Sequence, residues 1–227
     1  VMFNKFTTAG LSFPVQGSAG FNGTSDYIQT NDPFSNTKHT IAAWCYVNDI
    51  GSDKQIFDSR DASDNGILIY SNISKAINYK LNSNSILSTT PPSNEWFFLT
   101  ATYNGTTQNI YINGSLMANQ SVSTTINTSQ NAVIGRYTLL NINPFDGNLA
   151  NVAIWNRALS SDEINSVMWK PVQALTATES NGLQAWYSLD DIASPTASLA
   201  SMEQLATDKD VTIENKAAVT AAINSLS

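Results

Sequence analysis

The stretch EWFFLTATYNGTTQNIYINGSLM, residues 95–117, decides the fold, because it contains two short β-rich runs that each end in an Asn-Gly pair. Asn-Gly accepts the positive φ angles of a two-residue turn, which makes it the strongest short signal for a β-hairpin. The stretch therefore predicts an apolar strand over 94–103, a turn at Asn104-Gly105, a strand over 108–112 and a second turn at Asn113-Gly114.

Similar runs lie on both sides of this hairpin. HTIAAWCYV (39–47) has apolar residues on both of its alternating faces, which predicts a central strand covered on both sides. NGILIYSNI (65–73) and KAINYKLN (75–82) predict a hairpin, and NAVIGRY (131–137) and GNLANVAIW (147–155) predict two more strands. Turn signals recur roughly every ten residues, which favours an all-β antiparallel sandwich.

Helical signals come late in the chain. Ser160 followed by Glu163 is a capping box, and it predicts a short helix that ends at Lys170-Pro171. NGLQAWYSLDD (181–191) then predicts one more strand, which closes the same sandwich. We therefore expect one domain over 1–191 and a linker with a helical tail over 192–227. The large side chains expected to fill the core of the sandwich include Trp44, Trp96, Phe98 and Trp186.

The tail contains the pattern of an amphipathic helix over 212–226, with Val219, Ile223 and Leu226 on one stripe. An isolated helix of about 14 residues is marginal in water, so the stripe must pack on a surface if the helix forms. We expect it to dock on a partner or on a neighbouring copy in a homo-oligomer. The alternative is that the helix folds back on its own domain.

The composition limits the classes of partner. The 227 residues carry 11 Lys and Arg and a net charge of −7, without a basic cluster, so nucleic acid is not an expected partner. No apolar run approaches about 18 residues, so no membrane span is expected. Charged residues make up only 13% of the chain, which leaves Asn, Ser and Thr to form the polar surface. The single cysteine, Cys45, excludes an internal disulfide.

Four segments, taken in order, resemble the laminin-G-like, concanavalin A-like lectin/glucanase jelly rolls. FNGTSDYI (21–28) is similar to the Phe-Asp-Gly-x-x-Asp-Tyr-Val opening of that family, and TIAAWCYV (40–47) to its Thr-Ile-Ser-Ala-Trp-Val strand. The 95–117 hairpin and the segment VIGRYTLLNINPFDGNLANVAIWNRALSSDEI (133–164) resemble its later hairpin and its closing motif. The resemblance implies an antiparallel jelly-roll sandwich, of the kind found in bacteriophage virion and bacterial surface proteins.

The resemblance also implies a structural calcium ion near the turn before the first strong strand. The matching positions are Asn22, Gly23 and Asp26 on one side, and Gly147 and Asn151 on the other. Calcium prefers carboxylate and carbonyl oxygens, and this sequence has Asn151 where the family often has an acid. The alternative is that the turn is hairpin chemistry only, with Asp26 bonded to its own backbone.

The sequence does not predict an enzyme. The β-glucan hydrolases of this superfamily resemble one another through a Glu-x-Asp-x-x-Glu strand, whose paired carboxylates supply the acid and the nucleophile. The chain lacks such a strand. His39 is the only histidine, so a Ser-His-Asp arrangement would depend on it. Its place beside Lys38 at a loop border predicts a solvated side chain.

An acidic stretch, DIGSDKQIFDSRDASDNG (49–66), is predicted to be a solvated, turn-rich loop. Its aspartates Asp58, Asp61 and Asp64 are spaced by three, which is not the spacing of an EF-hand. Arg60 is expected to neutralise part of their charge.

Arg136 and Tyr137 are the residues that we expect to contact a ligand. Tyr137 begins a loop after a predicted strand, where an aromatic ring is free to stack on a sugar. The guanidinium of Arg136 can donate paired hydrogen bonds to a sugar or a carboxylate. The other aromatic candidates on strands, Tyr70, Tyr79 and Trp155, are expected to lie mostly in the core.

The leading hypothesis is a non-catalytic binding or display module that binds a glycan or a partner protein on an exposed surface. The expected setting is extracellular or on a virion, as a decoration, fibre or tail protein. The alternatives are a bacterial extracellular adhesin and a carbohydrate-binding module attached to an enzyme. A glycoside hydrolase is the least favoured alternative.

Overall fold

The computed structural model describes most of residues 17–189, and the segments before and after this range lie outside the description. The described ranges are 17–33, 38–48, 51–83, 85–126, 130–137, 139–140 and 142–189. The predicted linker and tail, including Val219, Ile223 and Leu226, fall outside the described residues. No described helix is long and apolar enough to cross a membrane.

The strands of the described residues form two antiparallel sheets that pack as a sandwich, as predicted. The seven-stranded sheet contains β1 (Ala19–Asn22), β3 (His39–Val47), β8 (Phe97–Tyr103), β9 (Thr107–Ile112), β10 (Ser115–Ser121), β12 (Asp146–Trp155) and β13 (Leu183–Tyr187). The six-stranded sheet contains β2 (Ile28–Pro33), β4 (Lys54–Asp58), β5 (Ile67–Ser71), β6 (Ile77–Leu81), β7 (Ser85–Thr89) and β11 (Asn131–Ile134).

In each sheet, the two strands of every predicted hairpin are direct neighbours. The larger sheet runs β1-β12-β3-β8-β9-β10, and β13 pairs with the second half of β12. The strand predicted over 181–191 therefore joins the same sandwich. The smaller sheet runs β2-β11-β4-β5-β6-β7. The predicted loop at 49–66 is wrong in part, because Lys54–Asp58 forms β4 between β11 and β5.

Strand β3 is buried on both of its faces, as its sequence predicted. Ile41, Ala43 and Cys45 point into the core between the two sheets. Ala42 and Trp44 point the other way, into a second apolar cluster on the outer face of the seven-stranded sheet. Phe98 and Trp186 also belong to this second cluster, against which Trp96 packs. The expectation that these four large side chains fill the core between the sheets is therefore wrong.

Helix α1 (Ser161–Val167) covers the second cluster with Ile164 and Val167. It begins with the predicted capping box, in which the Ser160 side chain accepts from the Glu163 N–H group and Glu163 accepts from the Ser160 N–H group. The residues after α1 stay on this face, because the Trp44 Nε1 group donates to the Met168 carbonyl at 3.2 Å.

A second short helix, α2 (Ala177–Ser180), is fixed beside the same cluster. The Trp155 Nε1 group donates to the Glu179 carbonyl at 2.7 Å, and Lys170 forms an ion pair with the Glu179 carboxylate at 2.6 Å. Burial opposes the charge on Glu179, but hydrogen bonds from Lys170, Ser166 and Thr176 outweigh it and lower the pKa to about 2. Glu179 is therefore ionised at neutral pH and holds the chain that covers the outer face.

His39 lies in the core, which contradicts the prediction of a solvated side chain. It is fully buried at the start of β3, and its Nε2 atom is 2.5 Å from the Tyr79 hydroxyl oxygen. Its ring also packs against Tyr103, whose hydroxyl donates to the Gly105 carbonyl at 2.8 Å. The histidine therefore joins the two sheets and is not available to a substrate.

Gly147, one of the predicted calcium residues, has a structural reason to be glycine. Its φ is +150°, and a Cβ atom there would lie 2.1 Å from the Tyr46 carbonyl oxygen. We expect Gly147→Ala to lower the free energy of unfolding by more than about 2 kcal/mol, because backbone atoms cannot move aside easily. Chemical denaturation measures this loss.

Gly51 offers the matched control. A Cβ atom on Gly51 would meet no atom within 4 Å, so Gly51→Ala is expected to change the free energy of unfolding by less than about 0.5 kcal/mol. Equal losses for the two variants would contradict the close approach of β12 to β3.

Candidate ligand-binding face

Two rows of side chains cross the outer face of the six-stranded sheet. Residues paired across strands share a face, and their neighbours along each strand point into the core. The first row consists of Gln29, Val133, Asp58, Leu68, Lys80 and Ile86. The second row consists of Gln55, Tyr70, Asn78 and Ser88. With strands about 4.8 Å apart, the first row spans about 24 Å. We call these two rows, with Arg60, Asp64 and Tyr137 above them, the polar face.

A network of four charged side chains occupies the middle of the polar face. Arg60 donates to both carboxylate oxygens of Asp58, with an Nη2–Oδ2 distance of 2.6 Å. It also donates to Asp64 at 2.8 Å, and Lys80 pairs with the other oxygen of Asp64. Asp58 is fully buried and Arg60 is 9% exposed. The expected neutralising role of Arg60 is confirmed, but the prediction that this stretch is simply a solvated loop is wrong.

The pKa values of the network follow from burial and pairing. Burial raises the pKa of Asp64, but hydrogen bonds from Lys80 and Arg60 outweigh this and leave it lowered. For the cation Arg60, burial has the opposite effect and lowers the pKa. The hydrogen bonds to Asp58 outweigh burial, so that the pKa of Arg60 is raised. Burial is the largest cause for Asp58, and its pKa is raised. Both oxygens of Asp58 nevertheless bond Arg60, so this carboxyl group is not placed to touch a substrate.

The loop that starts at Tyr137 forms one rim of the polar face. The Arg60 guanidinium lies over the Tyr137 ring, 4.6 Å from its centroid. The Tyr137 N–H group donates to the Ile142 carbonyl, and the Gln55 N–H group donates to the Asn143 carbonyl. These bonds hold the loop beside β4. Tyr137, which the sequence selected, therefore lies at the edge of the face.

Arg136 stacks on Tyr27, with its guanidinium carbon 3.1 Å from the ring centroid, whereas Tyr137 lies under Arg60. Both side chains are half-buried. Tyr27 precedes Ile28, which pairs with Ile134 across β2 and β11. Arg136 and Tyr137, the two residues predicted to contact a ligand, therefore pack on different partners at one end of the polar face.

The Asn22–Asp26 turn is closed by its own hydrogen bonds. The Asn22 Oδ1 atom accepts from the N–H groups of Thr24, Ser25 and Asp26, and the Asp26 Oδ2 atom accepts from the Asn22 N–H group at 3.0 Å. Gly23 has a φ of +71° and donates to the Phe145 carbonyl. The turn thus has the geometry that the hairpin alternative predicted.

The structure brings four of the five predicted calcium residues together. Pairing of β1 with β12 places Gly147 opposite Phe21, next to the Asn22–Asp26 turn. Asn151 lies four residues farther along β12, about 13 Å away along the strand. Its Oδ1 atom accepts from the Trp186 Nε1 group in the second apolar cluster, at 3.2 Å.

Asp146 is a carboxylate near the turn that the sequence did not select. It is opposite Asn22 and accepts from the Asn48 side chain at 2.9 Å, and a Cβ atom on Gly23 would lie 3.0 Å from its side chain. The described residues contain no group of three or more His, Cys, Asp or Glu side chains that could hold a metal. The side-chain oxygens of Asn22, Asp26 and Asn151, which the sequence proposed as calcium ligands, already accept hydrogen bonds from protein donors. They therefore fit a closed turn better than a calcium site. Calcium at this turn stays a prediction.

The sequence reasoning also missed most of the polar face. The alternation of Tyr70, Asn78 and Lys80 with apolar residues in the predicted hairpin was the available signal. Asp58 and Gln55 were not recognised as residues of this face, because the stretch around them was predicted to be a loop and not β4.

The sequence match agrees with this architecture. A family model described as concanavalin A-like lectin/glucanases superfamily matches residues 22–165, which is more than half of the chain. The chain belongs to this superfamily. The match begins in the Asn22–Asp26 turn and ends in α1, so it covers most of both sheets. No curated protein matches the chain.

Solved structures share this fold. A protein from Bacteroides ovatus ATCC 8483, described as carbohydrate-binding, has a TM-score of 0.65 and 17% identity, over 79% of this chain and 53% of its own. The chain thus spans about half the length of that protein. The CBM40 of a Ruminococcus gnavus IT-sialidase, bound to α2,3-sialyllactose, has a TM-score of 0.58 and 12% identity, over 67% of this chain and 97% of its own.

Removal of divalent ions tests the calcium prediction. Because protein donors already engage the turn oxygens, we expect EDTA to leave the melting temperature unchanged, and Asp26→Asn to lower it in EDTA and in calcium alike. A bound calcium ion at a hundredfold excess over its Kd would add about 2.7 kcal/mol. A rise of several degrees on calcium addition, lost in Asp146→Asn, would show that the turn holds calcium after all.

Proposed function

We propose that this protein is a non-catalytic glycan-binding module whose ligand lies on the polar face. The observation that carries the proposal is the pair of side-chain rows, which combines amides, hydroxyls, charged groups and aromatic rings on one sheet. Sugar rings present hydroxyl groups at their edges and C–H groups on their faces, so such a mixture offers hydrogen bonds and stacking together.

The arrangement of the two sheets supports this choice of face. In the described residues, both helices and the chain between them pack on the seven-stranded sheet. The polar face has no described helix over it, and Tyr70, Lys80 and Tyr137 keep part of their surface exposed. The six-stranded sheet is therefore the sheet whose outer face we propose for the ligand.

The comparisons support a glycan as the ligand class. Both structures described above carry the superfamily fold, one described as carbohydrate-binding and one bound to a sialylated sugar. A partner protein is the alternative ligand. We propose an extracellular location; a virion or an adhesin remains the predicted setting for such a module.

Absence of catalysis is proposed from the state of the carboxylates. Glycoside hydrolysis needs two carboxyl groups that face a substrate, one of them free to deliver a proton. On the polar face, Asp58 is buried against Arg60, and Asp64 is held between Arg60 and Lys80. Asp58 cannot leave its ion pair without leaving a buried charge unpaired, and the partly exposed Asp64 is engaged by two cations.

Tyr70 tests the polar face. We expect Tyr70→Ala to weaken the binding of the glycan selected on an array by about tenfold, because a central aromatic ring is a typical binding hot spot. The half-buried Tyr46, which packs on Trp96 on the other sheet, is the matched control. Tyr46→Ala is expected to leave affinity unchanged, although it removes the same side chain.

Calorimetric titration of both variants, with melting curves as a folding check, gives the answer. Equal affinity of wild type and Tyr70→Ala would exclude the polar face as the binding site. Steady hydrolysis of any arrayed glycan would contradict the non-catalytic role.

A further inference from the structure

Arg136 differs from the other two arginines of the chain. Arg60 holds Asp58 through three hydrogen bonds from its guanidinium, and Arg157 holds both oxygens of Glu163 at 2.9 and 2.6 Å. Arg136 has no carboxylate partner among the described residues; its guanidinium stacks on the Tyr27 ring, and Tyr27 is also its side-chain hydrogen-bond partner. Two of the three arginines thus bond a carboxylate through the guanidinium, and the third has no such bond within the described part of the chain.

The electrostatics of Arg136 agree with a missing anion. Its Nε atom is buried and has no hydrogen-bond partner. Burial lowers the pKa of Arg136, and the nearby Tyr27 opposes this only in part. For Arg60, by contrast, carboxylates reverse the effect of burial. A half-buried cation without an anion is costly, and an anionic ligand would remove that cost.

The stack prepares Arg136 to bind such a ligand. The Tyr27 ring supports one face of the planar guanidinium, which limits the conformations available to the long side chain. The edge with the terminal nitrogens is the part that donates paired hydrogen bonds to a carboxylate. Little side-chain freedom is then lost on binding.

The position of the stack continues the polar face. Tyr27 is two residues before Gln29 and so lies on the same side of the chain as the first row. Arg136 is next to Tyr137, which packs under Arg60. The network of Arg60, Lys80, Asp58 and Asp64 contains two positive and two negative groups, so it does not itself attract an anion.

We propose that the Arg136–Tyr27 stack binds the carboxylate of an acidic sugar, such as a sialic or uronic acid, whose neutral part lies on the polar face. This inference rests on the proposed function, and it specifies the class of glycan. The carboxylate accepts two hydrogen bonds from the terminal nitrogens of Arg136. Because the net charge of the chain is −7, this selectivity comes from local geometry and not from attraction over a distance.

The test compares matched acidic and neutral probes by calorimetry. The probes are α2,3-sialyllactose with lactose, and a glucuronate-terminated with a glucose-terminated oligosaccharide. Wild type is expected to bind the acidic member of at least one pair about tenfold more tightly, as a charged hydrogen-bond pair allows. Arg136→Gln should remove this preference while neutral binding persists, and Arg136→Lys should keep only part of it.

Lys38→Gln is the charge-matched control, because it also removes one positive charge. Lys38 is exposed beside Gly105, directly before the first residue of β3 and away from the Arg136–Tyr27 stack. It should keep the full preference, and melting curves verify that each variant folds. Equal binding of acidic and neutral probes by wild type would overturn the inference and leave glycan binding intact. A preference that survives in Arg136→Gln would also overturn it. Failure to bind any glycan on a broad array would instead refute the proposed function itself.

Discussion

The burial of β3 on both faces is the constraint on which the rest of the structure depends. Its odd-numbered side chains from Ile41 to Val47 belong to the core between the sheets, while Ala42 and Trp44 must be covered from outside. Because a sheet face with exposed tryptophans is unfavourable in water, the chain after β12 folds over it. The hydrogen bond from Trp44 to Met168 and the ion pair of Lys170 with Glu179 fix that cover in place.

Covering one sheet leaves the other without a described helix over it, and we propose that this second sheet serves recognition. The six-stranded sheet carries its polar groups in register across neighbouring strands. The ion network around Arg60 joins Asp58, Asp64 and Lys80 and does not use the half-buried ring of Tyr70. Loops at the end near β2 and β11 add Tyr137 and the Arg136–Tyr27 stack. The proposal thus places recognition on the face of the sandwich opposite the one that α1 and α2 cover.

Patterns of neighbouring residues made most of the fold predictable. Asn-Gly turns, the alternation in 39–47 and the Ser160–Glu163 capping box act locally, and all are confirmed. The wrong predictions concern residues whose burial or orientation depends on a partner outside the local sequence pattern. Asp58 is polar yet fully buried, because Arg60 satisfies its charge. His39 follows a loop yet lies in the core, because Tyr79 from the other sheet meets it. Asn151 matched a family position, but a bulge in β12 turns it toward Trp186.

The most direct test of the account is to map the bound glycan on the protein in solution. Backbone and side-chain amide resonances would be followed by NMR while the glycan that binds best on an array is added to the full chain. The account predicts shifts concentrated in β4, β5 and β6 and in the side-chain amide of Asn78, with Trp44, Trp186 and α1 unchanged. Shifts concentrated in α1 and the residues of the seven-stranded sheet would contradict the assignment of recognition to the six-stranded sheet.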